Sequence, residues 1–221
     1  MALDCLEDKE AVLPVFRSEV SNDWCQLEHF DVINIAIGGN HVFGRVFSKE
    51  KLIVIEGRCI VDTGYRKNNA SAGDKFTLDT PDGNFHVDEV LSDTVLVRVC
   101  GSWGEEIGGF GIFEVGDGDR RQDRGDLVDY PKETGFDNHY HDFDEYWIIV
   151  KGRGKAVTEG ISYDILPGDC VATGMGHHHD LPQVSEFIQA VYFETTLEGQ
   201  KRLGHLYNHT DGPAHPKLER V

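Results

Sequence analysis

The sequence predicts an all-β fold in which two β units follow one another in tandem, with short helical segments only at the flanks. Three observations predict it. First, the apolar, β-branched runs are short: FDVINIAI at 30–37, LIVI at 52–55, TVLVRV at 94–99, FGIFEV at 110–115, EYWIIV at 145–150 and EFIQAVYFE at 186–194. Second, glycine is abundant, 25 of 221 residues, which suits many turns between short strands. Third, a shift of 95 residues places Glu50 on Glu145, Ile53 on Ile148, Gly57 on Gly152, Arg58 on Arg153, Thr63 on Thr158, and Gly73–Asp74 on Gly168–Asp169. An unbroken register of that length reads as an internal duplication.

In chain order, residues 1–29 read as a lead, a short helix or irregular segment with an apolar fringe (Val12, Leu13, Val15, Phe16, Val20) broken by Pro14. It is expected to cover one end of a unit or a neighbouring subunit. Residues 30–104 form the first unit, from FDVINIAI to SDTVLVRVC, and the turn-rich GSWGEEIGG joins it to the second. The second unit spans 105–196. Its GDGDRRQDRGD segment, 116–126, reads as a solvated loop, because the bidentate glutamate of an EF-hand calcium loop is missing. The tail, 197–221, reads as partly helical up to Pro213 and as packed back on the β units through Leu203, Leu206 and Tyr207. His205 and His209 are four apart there and read as a surface pair, since no third ligand accompanies them.

The net charge of −18, with 39 acidic against 21 basic residues, argues against nucleic acid or an anionic membrane as partner. The five cysteines show no C-x-x-C pair and are odd in number, so neither a disulfide framework nor a zinc finger is indicated. MALDCLEDKE has no apolar core of a signal peptide, and no apolar run reaches the roughly 18 residues of a membrane span. The expected location is the reducing cytoplasm.

The stretch NHYHDFDEYWIIVKG, 138–152, carries the chemistry. Side chains alternate between faces of a strand, so His139, His141, Glu145, Trp147 and Ile149 share one face. Three ligand-type side chains then lie beside an apolar interior. Alone, an H-x-H pair could equally be a solvated loop. About 30 residues on, GDCVATGMGHHHD supplies Gly168, Gly174, Gly176 and His179. Together these stretches resemble the paired motifs of the cupin superfamily, G-x5-H-x-H-x3,4-E-x6-G and G-x5-P-x-G-x2-H-x3-N. The match covers His139, His141, Glu145, Gly152, Gly168, Gly176 and His179. The leading glycine of the first motif falls on Glu133, with Gly135 two residues late. The proline of the second is Gly174, and its asparagine is Gln183. Only His179 of the HHH run holds the motif position. His177 and His178 read as loop or rim.

The resemblance implies two tandem cupin (double-stranded β-helix or jelly-roll) barrels, the second holding one divalent metal ion (Fe, Mn, Ni, Co or Zn) through His139, His141, Glu145 and His179. Gly44 and Val46 stand opposite His139 and His141 in the first barrel, where Glu50 and His86 are the surviving ligand types. Two ligands hold a divalent ion poorly, so the first barrel is expected to be structural or to bind something without metal. His41 has the wrong parity relative to Glu50, short of a β-bulge. Three imidazoles and one carboxylate leave about two positions of an octahedral ion open. The implied function is a metal-dependent enzyme acting on a small organic molecule, with an Fe(II)-type dioxygenase slightly favoured. A redox-neutral isomerase, decarboxylase or lyase, or a binding or sensor module without turnover, are the alternatives. Tyr140, His177 and Tyr192 are the candidate acid–base residues. Tyr146, Ile148 and Val150, facing outward, are as apolar as the inward set, and a strand apolar on both faces is covered on both. Cupins often dimerise, so a homodimer is expected.

Overall fold

The structure, a computed structural model, describes residues 15–17, 23–78, 83–116 and 124–220, the first three as backbone only. Most of the N-terminal lead, with Cys5, lies outside the described residues, as do Pro81 and Asp82 of PDGNFH and 117–123 of the charged loop.

The short apolar runs form two antiparallel sheets. The first contains β2 (Leu27–Ile35), β3 (His41–Val42), β4 (Lys49–Asp62), β5 (Lys67–Ser71), β6 (Lys75–Leu78) and β7 (His86–Gly101). In it β7 lies between β2 and β4, and β4 also pairs with β5 and β6. The second contains β8 (Ile107–Val115), β9 (Glu145–Thr158), β10 (Ile161–Ile165), β11 (Asp169–Thr173) and β12 (His179–Thr196). Here β12 lies between β8 and β9, and β9 pairs with β10 and β11, the same succession one unit later. Within the lead, Val15–Arg17 form a strand, β1, which pairs with β11 on the edge of the second sheet, and Leu27–His29 already belong to β2. The tail is mostly irregular. Its one helix, α1 (Asn208–Asp211), is a single turn.

The long strands bend at the glycines that the 95-residue register aligns. Gly57 and Gly152 both have φ +85°, and a Cβ would sit 2.2 Å from the Asp93 carbonyl oxygen at Gly57 and 2.0 Å from that of Phe187 at Gly152. Only glycine permits this approach. Register shifts follow in both β4–β7 and β9–β12, and each strand pair rolls up there.

Strand alternation then divides the side chains between three cores. Leu52, Val54, Val61, Phe43, Phe85 and Leu96 fill the first unit. Trp147, Ile149, Leu181, Ile188 and Ala190 fill the second. The other face of β9 (Tyr146, Ile148, Val150) and Phe193 of β12 pack on Phe30, Ile53, Ile55, Val97 and Val99 of the first sheet. The apolar outer face of β9 thus finds its cover inside the same chain, which removes that reason for a second subunit. No helix among the described residues is long and apolar enough to cross a membrane.

Candidate metal centre

Rolling of the β9–β12 pair makes the site. His179 opens β12 and is paired with Thr158 at the far end of β9, yet its Nε2 lies 2.8 Å from Glu145 Oε2 at the near end. The chain before β9 is not the uninterrupted strand that parity assumes. His139 makes an isolated bridge to His179, and the backbone bends at Asp142 and Phe143. The alternation nevertheless survives. His139, His141, Phe143 and Glu145 turn inward. Asp142 and Asp144 turn outward onto the tail, to Arg202 (2.9 and 3.0 Å) and Arg220 (2.8 and 3.0 Å). Phe143 stacks on His141, ring centroids 4.4 Å apart.

One ligand atom from each of His139, His141, Glu145 and His179 lies within 4.8 Å of all the others, and all four residues are buried. Each imidazole turns its Nδ1 to a backbone carbonyl: His139 to Asp137 (2.6 Å), His141 to Gly204 (3.0 Å), His179 to His177 (3.1 Å). A carbonyl only accepts, so each Nδ1 carries a proton and each Nε2 faces the centre. The Nε2 atoms of His139 and His141 are 3.0 Å apart. Two nitrogen lone pairs at that distance require a proton or a cation between them. His141 Nε2 is also 3.2 Å from Glu145 Oε2. Donors about 2.1 Å from a common ion are separated by roughly 3.0 Å when cis in an octahedron and roughly 3.4 Å in a tetrahedron. Three of the donor pairs, at 2.8, 3.0 and 3.2 Å, are close enough to share one ion.

The electrostatics agree. Burial, reinforced by the neighbouring imidazoles, holds His139 well below the ordinary histidine range, so it is neutral at pH 7. Burial alone would raise Glu145, but with no ion bound the protons that His141 and His179 share with it through Nε2 outweigh burial and hold the carboxylate well below its ordinary range, and an ion would take the place of those protons. Neutral imidazole and ionised carboxylate are the ligand forms a divalent ion needs.

Of the three candidate acid–base residues, only Tyr192 shares the interior with the ligands. It pairs with Trp147 on one side and Gly111 on the other, and a Cβ at Gly111 would lie 2.7 Å from its ring. Tyr140 takes the opposite parity. Its hydroxyl donates to the Gly212 carbonyl at 2.8 Å, and its backbone pairs with Leu206. His177 is buried behind the centre, its Nε2 2.8 Å from the Lys217 carbonyl oxygen and its Nδ1 3.5 Å from Glu159. Its carbonyl, not its ring, serves the site by orienting His179.

Two residues beside the ligands are not read as site residues in the sequence: Glu194, and His205, expected as one of a surface pair with His209 but parted from it, since His209 turns to Asp126 and His205 lies outside the short helix. Glu194 pairs with Glu145 across β9 and β12, on the inward face, over Gly109 of β8. Burial and the Glu145 charge push its carboxyl up to about 8. Glu194 has the parity of Tyr192, which is the signal that could have found it. His205 stacks on His139, centroids 3.7 Å apart at 6°. Being in an irregular tail, it has no periodic signal.

The first unit keeps the glutamate but differs at all three histidine positions. His86 does not face Glu50. Phe85 and Val87 belong to the interior, so His86 between them turns outward, one residue out of the register that the sequence suggests. Glu50, fully buried, lies instead 3.5 Å from Arg98, which pairs with Leu52 as Tyr192 pairs with Trp147.

No family model matches the chain. A protein of Sinorhizobium fredii named "Uncharacterized protein y4oW" is 41% identical over 210 residues, covering 95% of this chain and 97% of that protein. The chain belongs to the family of y4oW. Among solved structures, the protein YhaK from Escherichia coli matches 83% of this chain and 93% of its own, with TM-score 0.52 and 11% identity. Bacillus subtilis oxalate decarboxylase, studied for its Mn(II) centres, matches 80% of this chain and 71% of its own, with TM-score 0.51 and 11% identity. The structural neighbours are cupin-type barrel proteins, and at such identities the likeness is one of fold. The chain has the all-β fold of these cupin-type neighbours and a buried group able to hold a metal.

Proposed function

We propose that the chain is a cupin metalloenzyme that binds one divalent ion through His139, His141, Glu145 and His179 and acts there on a small organic molecule. The observation that carries this reading is the pair of inward Nε2 atoms 3.0 Å apart, each on a ring whose Nδ1 is committed to a carbonyl. When bound, such an ion supplies Lewis acidity and, if redox-active, electrons. The first barrel is read as one that has lost its ligands, with Arg98 beside Glu50.

The chain's own residues supply the rest. Trp147 contacts Phe136 and Phe113, with ring centroids 5.2 and 5.5 Å apart, and lies against His179. These rings keep bulk water from the inner side of the ligands, which strengthens charge interactions there. Glu194, buried on the inward face opposite Glu145, is a carboxyl placed to hold or move a proton beside the centre. Tyr192 offers a hydroxyl on the same face.

A placed acid–base group favours turnover over a sensor role. It also favours a redox-neutral isomerisation, decarboxylation or lyase step over the dioxygenase. Reconstitution with Fe(II), Mn(II), Co(II) or Zn(II), with and without air, tests the reading. Elemental analysis should find one ion per chain. Turnover of small enols, diketones and hydroxy acids should proceed without oxygen uptake, and Glu194→Gln should lower it with metal content unchanged. Oxygen consumption on adding substrate to the iron form would restore the dioxygenase, and a chain that binds no ion would end the metal reading.

A further inference from the structure

The C-terminal tail is built into the centre more closely than a mere packing segment would be. Four contacts fix residues 202–206 on the outside of the ligand-bearing chain. The Arg202 side chain grips both oxygens of Asp142, the residue after ligand His141, and its backbone N–H donates to Asp142 Oδ2 at 3.0 Å. The Gly204 carbonyl takes the Nδ1 proton of His141. Leu206, buried, exchanges two backbone hydrogen bonds of 3.0 Å with Tyr140, the residue between the two histidine ligands. Gly204 itself has φ +83°, which lets the strap turn its carbonyl inward while the next side chain turns to the centre.

That next side chain is His205. Its ring lies flat on His139 and 5.4 Å, centroid to centroid, from His141. Its Nδ1 is 3.8 Å from Asp137 Oδ2, beyond hydrogen-bonding range. Its side chain is 44% exposed, whereas those of His141 and His179 behind it are at 1%. An imidazole held on both sides by pinned neighbours, resting on a ligand by stacking, stands between that ligand and solvent.

We propose that His205 is a fifth residue of the metal centre: a covering group that the strap holds over the His139–His141 side, and whose ring slows the exchange of the ion. This rests on the metal reading above, and the test separates the two. The probe is the Co(II)- or Zn(II)-loaded full chain, checked by elemental analysis and then mixed with excess chelator. The readout is the rate of metal release, which a merely structural tail residue would not move. His205→Ala should keep one ion per chain and a wild-type urea midpoint while releasing metal about tenfold faster, the order of effect found for groups that support metal ligands. His205→Phe, which keeps a flat ring on His139, should return the rate to near wild type. Arg202→Gln, which frees the strap at Asp142, should speed release with His205 intact. Release from His205→Ala at the wild-type rate would overturn the proposal. So would equally fast release from His205→Phe, which would assign the effect to the imidazole's polarity and not to cover. A wild-type chain that takes up no metal would overturn the metal reading itself, and this one with it.

Discussion

Replacing Arg220 with alanine should destabilise the protein in a way that depends on pH. Arg220 holds Asp144, the residue before ligand Glu145, with Nη1 at 2.8 and 3.0 Å from its two oxygens, while Nη2 reaches Glu198 at 2.9 Å. The Asp144 side chain is 1% exposed. Its other close donor is the Met175 backbone N–H at 2.7 Å. Removing one partner of such a buried pair costs about 3–5 kcal/mol, because the remaining charge is stranded. Protonation limits the loss: neutralising an ordinary carboxylate costs about 4 kcal/mol at pH 7 and about 1.5 kcal/mol at pH 5. Burial raises Asp144 above its ordinary range even with Arg220 present, and the variant must raise it further. A carboxyl whose folded pKa is raised keeps its proton folded where the unfolded chain has lost it, so stability falls as pH rises through that window. Urea unfolding of the metal-free protein followed by tryptophan fluorescence should show a deficit of about 3–4 kcal/mol at pH 7 that narrows towards pH 5. Adding Asp144→Asn to the variant should flatten the dependence. A deficit below about 1 kcal/mol, or one that does not change with pH, would refute the reasoning.

Two further outcomes follow from the site. His141→Ala should weaken metal binding by more than about 100-fold while the metal-free chain keeps its β circular dichroism, since three apolar cores hold the fold without the ion; unchanged metal content would sink the assignment. Gly174→Ala places a Cβ 2.3 Å from the Arg220 carbonyl oxygen and 2.4 Å from its Cβ, so it should cost roughly 1–3 kcal/mol by pushing the tail away, and a urea midpoint equal to wild type would contradict that packing.

The four ligands are legible because their spacing is set locally. H-x-H and the following glutamate alternate along one stretch of chain, and Gly176 and His179 sit on one tight loop. The two-sided burial of β9 is legible for the same reason, since apolar residues at both parities need two covers. What covers the second face is not legible, because it depends on how the two sheets pack. The departure of Gly174 from the family's proline is explained only by the fold: the backbone of Arg220 passes over it, leaving no room for a side chain. The pairing of His86 with His179 fails for a similar reason. Counting residues through a loop cannot tell a one-residue difference in register, and one residue reverses a strand's faces. Tyr140 and His177 are close to the ligands in sequence but on the other parity or behind the loop, so nearness along the chain overstates their part.

The two units differ in how a buried glutamate is partnered, and this is why the proposed metal site falls in the second. Each has a buried glutamate at the same place in the repeat, Glu50 and Glu145, and a buried carboxylate needs a positive partner. In the first unit the partner is a side chain of the protein itself. Arg98, always charged, lies 3.5 Å from Glu50, is tied to Asp31 at 2.7 and 2.6 Å and to the Gly44 carbonyl at 2.8 Å, and covers the ring of Phe43. Val46 donates its N–H to Glu50 at 3.0 Å, from the position where the second unit has His141. Phe43 and Phe85 fill the remaining space. Among the described residues, these side chains occupy the place that the imidazoles hold in the second unit. In the second unit the equivalent of Arg98 is Tyr192, which brings no charge. Glu145 instead shares its pocket with three imidazoles that turn their Nε2 atoms towards one centre. The demand for a cation is the same in both. Among the described residues the second unit has no such cation of its own beside Glu145, which is where the proposed ion would stand, and an ion from solution would bring coordination positions that a guanidinium does not have.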